Sequence, residues 1–451
     1  MTDGSMGTAT TATPSVSRSL HRAWVDLRHS LVMFAAMSLA NVLDYAYNVF
    51  LGRLLSAEGY GILVALQAIL RIVAVSLEIV RTVTARYTAR FLAQAQRADA
   101  GTFLRVALGQ AVIWGSVASL LAGLFSRPMA QLLQIPAVGP VLVTAASLLP
   151  LAVKPVIGGV LQGAQRFVGL GLFHVVHAGF RLVLGVVLVR AGLDALGAIA
   201  ALPIGTTGTI LLGLGLLWAF LRRPGEQDTG LGAERSSLAA GLGGYASRTT
   251  VGLVGFAILV NMDALVVKHY AAPNLAGQYS MAITLGKIVL FMPVAFAQVL
   301  FPKSAAQHAQ ARDSSRLVRL SQAMTMVPCA ALTATYFVFP DRIFRFVFGA
   351  HNPFHGPVLG VLALAMSGYA LANVWLNYFL SVEQSGFVYM LPVALFAQLG
   401  LLIAFHANLM QVVTALAGTS IGLSIVGELW FRLVRPRLPG QGRERYGLDP
   451  L

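Results

Sequence analysis

Charged side chains interrupt the apolar stretches of this sequence, and their types suit the binding of an anion. Residues 41–81 (NVLDYAYNVFLGRLLSAEGYGILVALQAILRIVAVSLEIVR) read as two apolar helices joined by a short turn, and the second carries Arg71, Glu78 and Arg81. An arginine near the middle of a membrane helix costs about 2.5–3.5 kcal/mol, so it normally faces a bundle interior or a wet cavity. A guanidinium in such a cavity can donate charge-assisted hydrogen bonds to phosphate oxygens.

Three cations are the candidates for holding an anionic substrate: Arg71, Arg248 and Lys287. Arg71 falls near the middle of the second predicted span, and Arg248 falls in the inner half of the seventh. Placing all three in the membrane would cost on the order of 9 kcal/mol, which is too much to retain for packing alone. We therefore predict that these side chains bind a negatively charged ligand.

The first helix supplies one acid that could neutralise Arg71. Asn41, Asp44 and Asn48 are spaced by three and four residues and so share a helix face. Asp44 lies about one turn closer to the outside than Arg71, within reach of an arginine side chain. An interior Asp44–Arg71 ion pair and a solvated cavity cation that awaits its ligand are both open interpretations.

The remaining candidate polar residues are Glu78, Arg81 and Asp263. Glu78 and Arg81 are three residues apart on one helix and can pair, either as a local structural pair or as part of a gate. Asp263 falls near the outer end of the seventh span. Lys154 and Arg181 also lie within spans, but the sequence assigns them no role, and we predict no metal site.

Composition places the chain in a membrane. The 451 residues are 57% hydrophobic and only 11% charged, whereas soluble domains carry about 25% charged residues. Apolar stretches long enough to span a bilayer recur along nearly the whole length. We predict an all-α polytopic protein with twelve transmembrane helices, at residues 30–51, 59–86, 103–125, 138–161, 168–189, 196–221, 238–262, 275–300, 317–339, 357–380, 387–405 and 412–433.

The distribution of basic residues predicts the orientation. With the N-terminus inside, the inner segments collect twenty Lys and Arg residues and the outer turns only six. This positive-inside pattern puts both termini in the cytoplasm of a multi-pass protein of the inner (plasma) membrane. The formal charge of +15 therefore does not indicate a nucleic-acid partner, because the cations fall in alternate loops.

The chain repeats itself at a spacing of about 216 residues. Gly61 and Arg71 align with Gly277 and Lys287 at this spacing. Two diverged six-helix lobes, related by a pseudo-two-fold axis along the membrane normal, would give such a pattern. We predict a tail at 1–29, a first lobe at 30–221, a cytoplasmic linker at 222–237, a second lobe at 238–435 and a C-terminal tail at 436–451.

Three segments carry a resemblance to a known family: residues 50–61 (FLGRLLSAEGYG), their weaker echo at 266–280 (VVKHYAAPNLAGQYS), and 161–167 (LQGAQRF). The chain resembles the Wzx-like polysaccharide flippases, which translocate O-antigen and exopolysaccharide units, within the MOP superfamily that also contains MATE drug transporters and the lipid II flippase MurJ. The resemblance implies a V-shaped pair of bundles around a cavity lined mainly by the first, second, seventh and eighth helices. MurJ relatives usually have two further C-terminal helices, which argues against lipid II as cargo.

The leading functional hypothesis is a flippase that moves a polyprenyl-pyrophosphate-linked glycan outward by alternating access. Its implied partners are that glycan, membrane lipid, and a polysaccharide polymerase and glycosyltransferases of the same pathway; no cofactor is implied. A MATE-like cation-coupled drug antiporter is the alternative, but it needs intramembrane acids and few are present. A membrane glycosyltransferase or polymerase is disfavoured because no outer connection is long. The sequence has no Gly-rich phosphate loop and no HExxH motif, so we predict no enzymatic activity.

Overall fold

The computed structural model is helical throughout the residues that it describes, which are 16–94, 97–218, 245–291, 315–349, 356–382 and 386–434. Each of the twelve predicted spans overlaps a helix. Fifteen α-helices are described, with a π-helical turn at Val189–Leu193 and a 3-10 turn at Phe387–Tyr389. In chain order they are α1 (Val16–Leu54), α2 (Ala57–Ala93), α3 (Arg97–Leu124), α4 (Ser126–Leu132), α5 (Gly139–Ala146), α6 (Leu148–Gly163), α7 (Phe167–Leu188), α8 (Asp194–Leu216), α9 (Tyr245–Tyr270), α10 (Pro273–Phe291), α11 (Ser315–Val338), α12 (Pro340–Phe348), α13 (Val358–Ser381), α14 (Met390–Ala404) and α15 (Leu409–Val434).

Length and apolarity by themselves identify eight membrane-crossing helices among the described residues, or nine if one bent pair counts as a span. One of the eight, Phe167–Leu216, contains both α7 and α8. Gly192 adopts a φ of 89° between them, a conformation that favours glycine, and the two helices then pack against each other. The chain therefore reverses direction here, as the sequence predicted.

The helices form two bundles with matching contacts. In the first lobe α1 packs on α7, and α2 and α3 pack on α6; in the second lobe the equivalent helices α9, α10 and α11 pack on α14 and α13. Glycines permit the closest approach within the first lobe. A Cβ at Gly159 would lie 2.6 Å from the backbone oxygen of Arg81, so only glycine lets α6 lie this close to α2.

Two features differ from the sequence prediction. Within the described residues the first helix already includes Val16, well before the predicted span at residue 30, and no glycine or proline interrupts it before Gly52. Residues 16–29 of the predicted tail are thus helical and continuous with the first span, and the tail's place outside the membrane stays a prediction. The outer connection after residue 339 contains the short helix α12, which bends by 94° from α11. The predicted linker at 222–237 and tail at 436–451 lie outside the described residues.

The lobes meet at one end of the molecule. The α1–α2 and α9–α10 turns lie at this end, which we call the outer side after the orientation predicted from the basic residues. Along α2, every residue of the ten from Gly59 to Ala68 is buried, and this helix packs against both α9 and α10 of the other lobe. From Arg71 to Arg81 the residues of α2 are partly exposed. The lobes are thus closed on the outer side and separate toward the inner side.

Candidate functional site

Arg71 occupies the point on α2 where the buried outer half gives way to the partly exposed inner half. Its Nη2 donates to Oε1 of Gln67, one turn earlier on the same helix, at a long 3.4 Å. No carboxylate in the described chain forms an ion pair with it. A guanidinium has five donors, so the hydrogen bond to Gln67 leaves most of them available to a ligand.

Lys287, the repeat equivalent of Arg71, is held within the second lobe. Its Nζ donates to Oδ1 of Asn261 on α9 at 2.7 Å, and only 7% of the lysine is exposed. The charge of Arg71 acts on that of Lys287 across the lobe interface. The two repeat-equivalent cations thus lie on opposite lobes and close enough for their charges to interact.

Asp263 is buried beside this lysine and does not face open solvent. It is 1% exposed, and its Oδ2 accepts a hydrogen bond of 3.0 Å from Tyr279 Oη. Its Oδ1 is buried with no hydrogen-bond partner among the described residues, and its charge acts on Lys287. Asp263 thus offsets part of the lysine's charge from within the second lobe.

Asp44 pairs with Arg181 of α7 and not with Arg71. Arg181 Nη1 lies 2.9 Å from Asp44 Oδ1, and the guanidinium stacks 4.0 Å from the ring centre of Tyr47. The Asp44–Arg71 ion pair considered from the sequence is therefore absent, because α1 packs along α7 and presents its acid to that helix.

The two asparagines that share a helix face with Asp44 differ in environment. Asn48 is buried, and its Nδ2 donates to the backbone oxygen of Asp44 at 2.8 Å. Asn41 is exposed. The predicted polar face of α1 therefore contributes one ion-paired acid, one buried amide and one exposed amide.

Glu78 and Arg81 form the predicted local pair. Arg81 Nε donates to Glu78 Oε1 at 2.6 Å, and Nη1 donates to Oε1 of Gln162 on α6 at the same distance. All three residues belong to the first lobe. The pair therefore fixes α2 to α6 in this conformation, and it makes no contact between the lobes.

Arg248 falls within α9, but its side chain lies outside the described residues. Lys154 on α6 and the histidines His174 and His177 on α7 lie near the Asp44–Arg181 pair, whose charges act on Lys154. No group of three His, Cys, Asp or Glu side chains in the described parts of the chain could hold a metal ion.

The charge balance of the cavity favours an anion. Among described residues, Arg71, Lys154, Arg181 and Lys287 act on one another or on the same acids, while Asp44 and Asp263 are the carboxylates among them. Glu78 also acts on Lys154, but it is paired with Arg81, so apart from that pair four cations face two carboxylates. Uncompensated positive charge in a membrane is costly, and a ligand carrying two negative charges would balance it.

Sequence reasoning missed several residues that shape this site. Asn261, the partner of Lys287, lies 217 residues after Asp44, so the repeat spacing could have identified it. Tyr60 of α2 and Thr284 of α10 join the lobes through a 2.8 Å hydrogen bond between their hydroxyls. No charge or spacing signal marked this pair, because both residues read as ordinary helix positions.

Comparison with known proteins shows the fold. No family model and no curated protein matches the sequence. Among solved structures, an inward-facing multidrug resistance MATE family transporter of the MOP superfamily matches with a TM-score of 0.72 and 14% identity, covering 93% of this chain and 99% of that one. An outward-facing structure of such a transporter gives a TM-score of 0.61 at 15% identity, over 91% and 95% of the two chains.

A third similar structure is a MOP superfamily transporter from Pyrococcus furiosus Vc1, described as having a binding pocket of reverse polarity that suggests a different function. It matches with a TM-score of 0.61 and 15% identity over 91% of this chain and 95% of that one. The chain therefore has the fold of MATE transporters, which is twelve helices in two lobes, and the predicted fold class is confirmed.

Proposed function

We propose that this protein is a flippase that translocates a polyprenyl-pyrophosphate-linked oligosaccharide across the inner membrane by alternating access. The observation that carries the proposal is the pair of repeat-equivalent cations, Arg71 of the first lobe and Lys287 of the second, whose charges act on each other across the lobe interface. A pyrophosphate placed between them would accept hydrogen bonds from both lobes at once. Arg248, on the inner half of α9, would extend this site toward the predicted cytoplasm.

The proposed cycle begins in the conformation described above. The anionic head group would enter from the inner side, where the lobes are apart, and bind Arg71 and Lys287. Neutralising both cations removes their mutual repulsion, so the inner halves of the lobes can approach each other around the bound head group as the outer side opens. An inside-negative potential would favour outward movement of each negative charge by about 2.3 kcal/mol per 100 mV.

Both termini would lie in the cytoplasm, and a polysaccharide polymerase and glycosyltransferases of the same pathway would be the functional partners. The protein would need no cofactor and perform no covalent chemistry. Its cargo would meet membrane lipid through its polyprenyl tail and the cavity through its charged head group.

The test is charge reversal at each cation separately in a strain that depends on this protein for glycan export. We expect Arg71→Glu and Lys287→Glu each to reduce export at least about tenfold, since each reverses an attraction worth roughly 1.4 kcal/mol or more in a cavity that excludes water. Arg190→Glu, at an exposed position of the first lobe, is the matched control and should export normally. Intact export in both cavity variants at normal expression would refute the site.

A cation-coupled drug antiporter is the second candidate, because the structural neighbours are described as multidrug resistance transporters. Such a protein needs an acid that exchanges ions. Here Asp44 is paired with Arg181, and Asp263 is buried beside Lys287 and bonded to Tyr279. Drug resistance on overexpression that disappears in Asp44→Asn would favour the antiporter over the flippase.

A further inference from the structure

Two sets of hydrogen bonds join the lobes on the outer side, and the repeat relates them to each other. In the first set, Arg53 donates through Nε to the backbone oxygen of Val347 at 2.7 Å and through Nη2 to that of Phe346. Arg53 lies in the last turn of α1, in the first lobe. The carbonyls that it contacts lie at the C-terminal end of α12, in the second lobe. We call this set the first clasp.

The second set runs in the opposite direction. His269 Nδ1 contacts the backbone oxygen of Leu132, Lys268 Nζ donates to that of Gln134 at 3.3 Å, and Gln134 Nε2 donates to the backbone oxygen of His269 at 2.6 Å. Lys268 and His269 lie in the last turn of α9, in the second lobe. Leu132 ends α4 in the first lobe, and Gln134 follows it. We call this set the second clasp.

The repeat spacing makes the two clasps equivalents. His269 follows Arg53 by 216 residues, and Phe348, the last residue of α12, follows Leu132 by the same number. Each clasp therefore joins the last turn of a lobe's first helix to the C-terminal end of the other lobe's short outer helix. In both cases a basic side chain meets carbonyl groups at a helix C-terminus, where the partial charge is negative.

Midway between the two clasps, α2 and α10 cross at a pair of glycines that lies close to the pseudo-two-fold axis. Gly61 and Gly277 are equivalents in the repeat, and a Cβ at Gly61 would lie 3.1 Å from the backbone nitrogen of Gly277. Equivalent residues touch each other only near a two-fold axis. A glycine crossing at the centre and one clasp on each side thus describe a symmetric closure of the outer side.

From this geometry we infer that Arg53 and the Lys268–His269 pair are gate residues whose hydrogen bonds hold the outer side closed and must break for the lobes to open there. The inference deepens the proposed function, because it rests on alternating access, but it does not depend on the identity of the cargo. A hydrogen bond from a charged donor, when shielded from water, raises the equilibrium constant for the state that contains it by about tenfold or more. The hydrogen bonds of these clasps are partly exposed to water, so their effect is smaller. Each clasp should therefore favour the closed outer side by about three- to tenfold.

Each clasp would act on a whole lobe through the short outer helix whose carbonyl groups it contacts. α12 is anchored by the buried rings of Phe344 and Phe348, and Phe348 packs edge-on against Tyr60 of the other lobe at 5.9 Å between ring centres. A Cβ at Gly52 would lie 2.5 Å from the ring of Phe348, so α1 and α12 are in close contact. Opening the outer side would have to separate this packing together with the first clasp.

The test measures lobe separation in protein reconstituted without cargo. In a Cys329→Ser background, spin labels at Arg127 of the first lobe and Asn274 of the second, both exposed, report the outer separation. We expect Arg53→Ala and His269→Ala each to raise the long-distance population about three- to tenfold, and the double variant to raise it further. Arg190→Ala, at an exposed position outside both clasps, is the control.

Arg53→Lys keeps one charged donor and should shift the distances less than Arg53→Ala, which guards against a folding defect as the cause. Unchanged distances in the double variant, or an equal change in Arg190→Ala, would overturn the inference. Because the measurement uses no cargo, its result does not depend on whether the protein is a flippase. Conversely, a negative result here would not change the assignment of Arg71 and Lys287 as the cations that bind the substrate.

Discussion

Asp44 of α1 and Arg181 of α7 form an ion pair of 2.9 Å inside the first lobe, and this pair determines which cavity cation remains available. Because Arg181 binds the acid, Arg71 keeps its positive charge uncompensated by any carboxylate partner in the described chain. The arginine that the sequence left unassigned thus neutralises Asp44, and the one that it singled out, Arg71, is partly exposed where the lobes begin to separate.

The Asp44–Arg181 pair should behave as a structural unit. Removing only the acid leaves the guanidinium of Arg181, whose side chain is 10% exposed, without its carboxylate partner, so we expect Asp44→Asn to lower the thermal midpoint by about 3 °C or more. The double variant Asp44→Asn/Arg181→Gln should recover at least half of that loss. Thermal unfolding of the purified protein measures both, and additive losses in the double variant would show that the two side chains do not interact.

Substitutions of Lys287 can distinguish a role in substrate binding from a role in stability. Burial and the like charge of Arg71 both oppose the charge of Lys287, and they outweigh the favourable effect of Asp263, which keeps its hydrogen bond from Tyr279 when the lysine is replaced. We expect Lys287→Met to keep the thermal midpoint within about 3 °C of the parent and to reduce glycan export at least tenfold. Lys287→Arg, which keeps the charge, should retain more export. A strongly destabilised Lys287→Met with proportionate loss of export would instead indicate that the lysine serves packing.

The glycine crossing on the outer side predicts a graded effect of small substitutions. A Cβ at Gly277 would lie 1.8 Å from the backbone oxygen of Ala57, whereas a Cβ at Gly61 would have its nearest contact at 3.1 Å. Gly277→Ala should therefore prevent full closure and shift the labelled lobes toward larger outer distances, and Gly61→Ala should do so less.

The matched control for this crossing is Gly179→Ala, since nothing lies within 4 Å of the added methyl group. It should leave the distances unchanged and improve helix stability by about 0.5–1 kcal/mol. Equal distance distributions in Gly277→Ala and Gly179→Ala would contradict the closeness of the two helices.

The predicted orientation can be tested by single-cysteine labelling in the Cys329→Ser background. Arg190 and Arg86 are both exposed and belong to the groups of basic residues that the sequence places outside and inside, respectively. A membrane-impermeant maleimide applied to intact cells should label Arg190→Cys within minutes and Arg86→Cys only after permeabilisation. The reverse pattern would invert the transport direction that we propose.

The sequence alone determined the fold class and the internal symmetry. Twenty-residue apolar stretches have few alternatives to membrane helices, since every backbone polar group must be satisfied inside the segment. The repeat spacing then identified Arg71 and Lys287 as equivalents, because equal positions in two lobes follow from sequence offset without any contact information. Glu78 and Arg81 were also predictable, since neighbours three residues apart on a helix meet whatever surrounds them.

Only the tertiary structure decided which residues meet across helices. Asp44 pairs with Arg181 because α1 packs on α7, and Lys287 bonds to Asn261 because α10 packs beside α9. The clasps of Arg53 and His269 depend on carbonyl groups at the ends of short outer helices, which carry no side-chain signal in the sequence. Local spacing determines the helix face on which a residue lies. Its partner on another helix depends on the packing angle of the two helices, and that angle is set by side chains far apart in the chain.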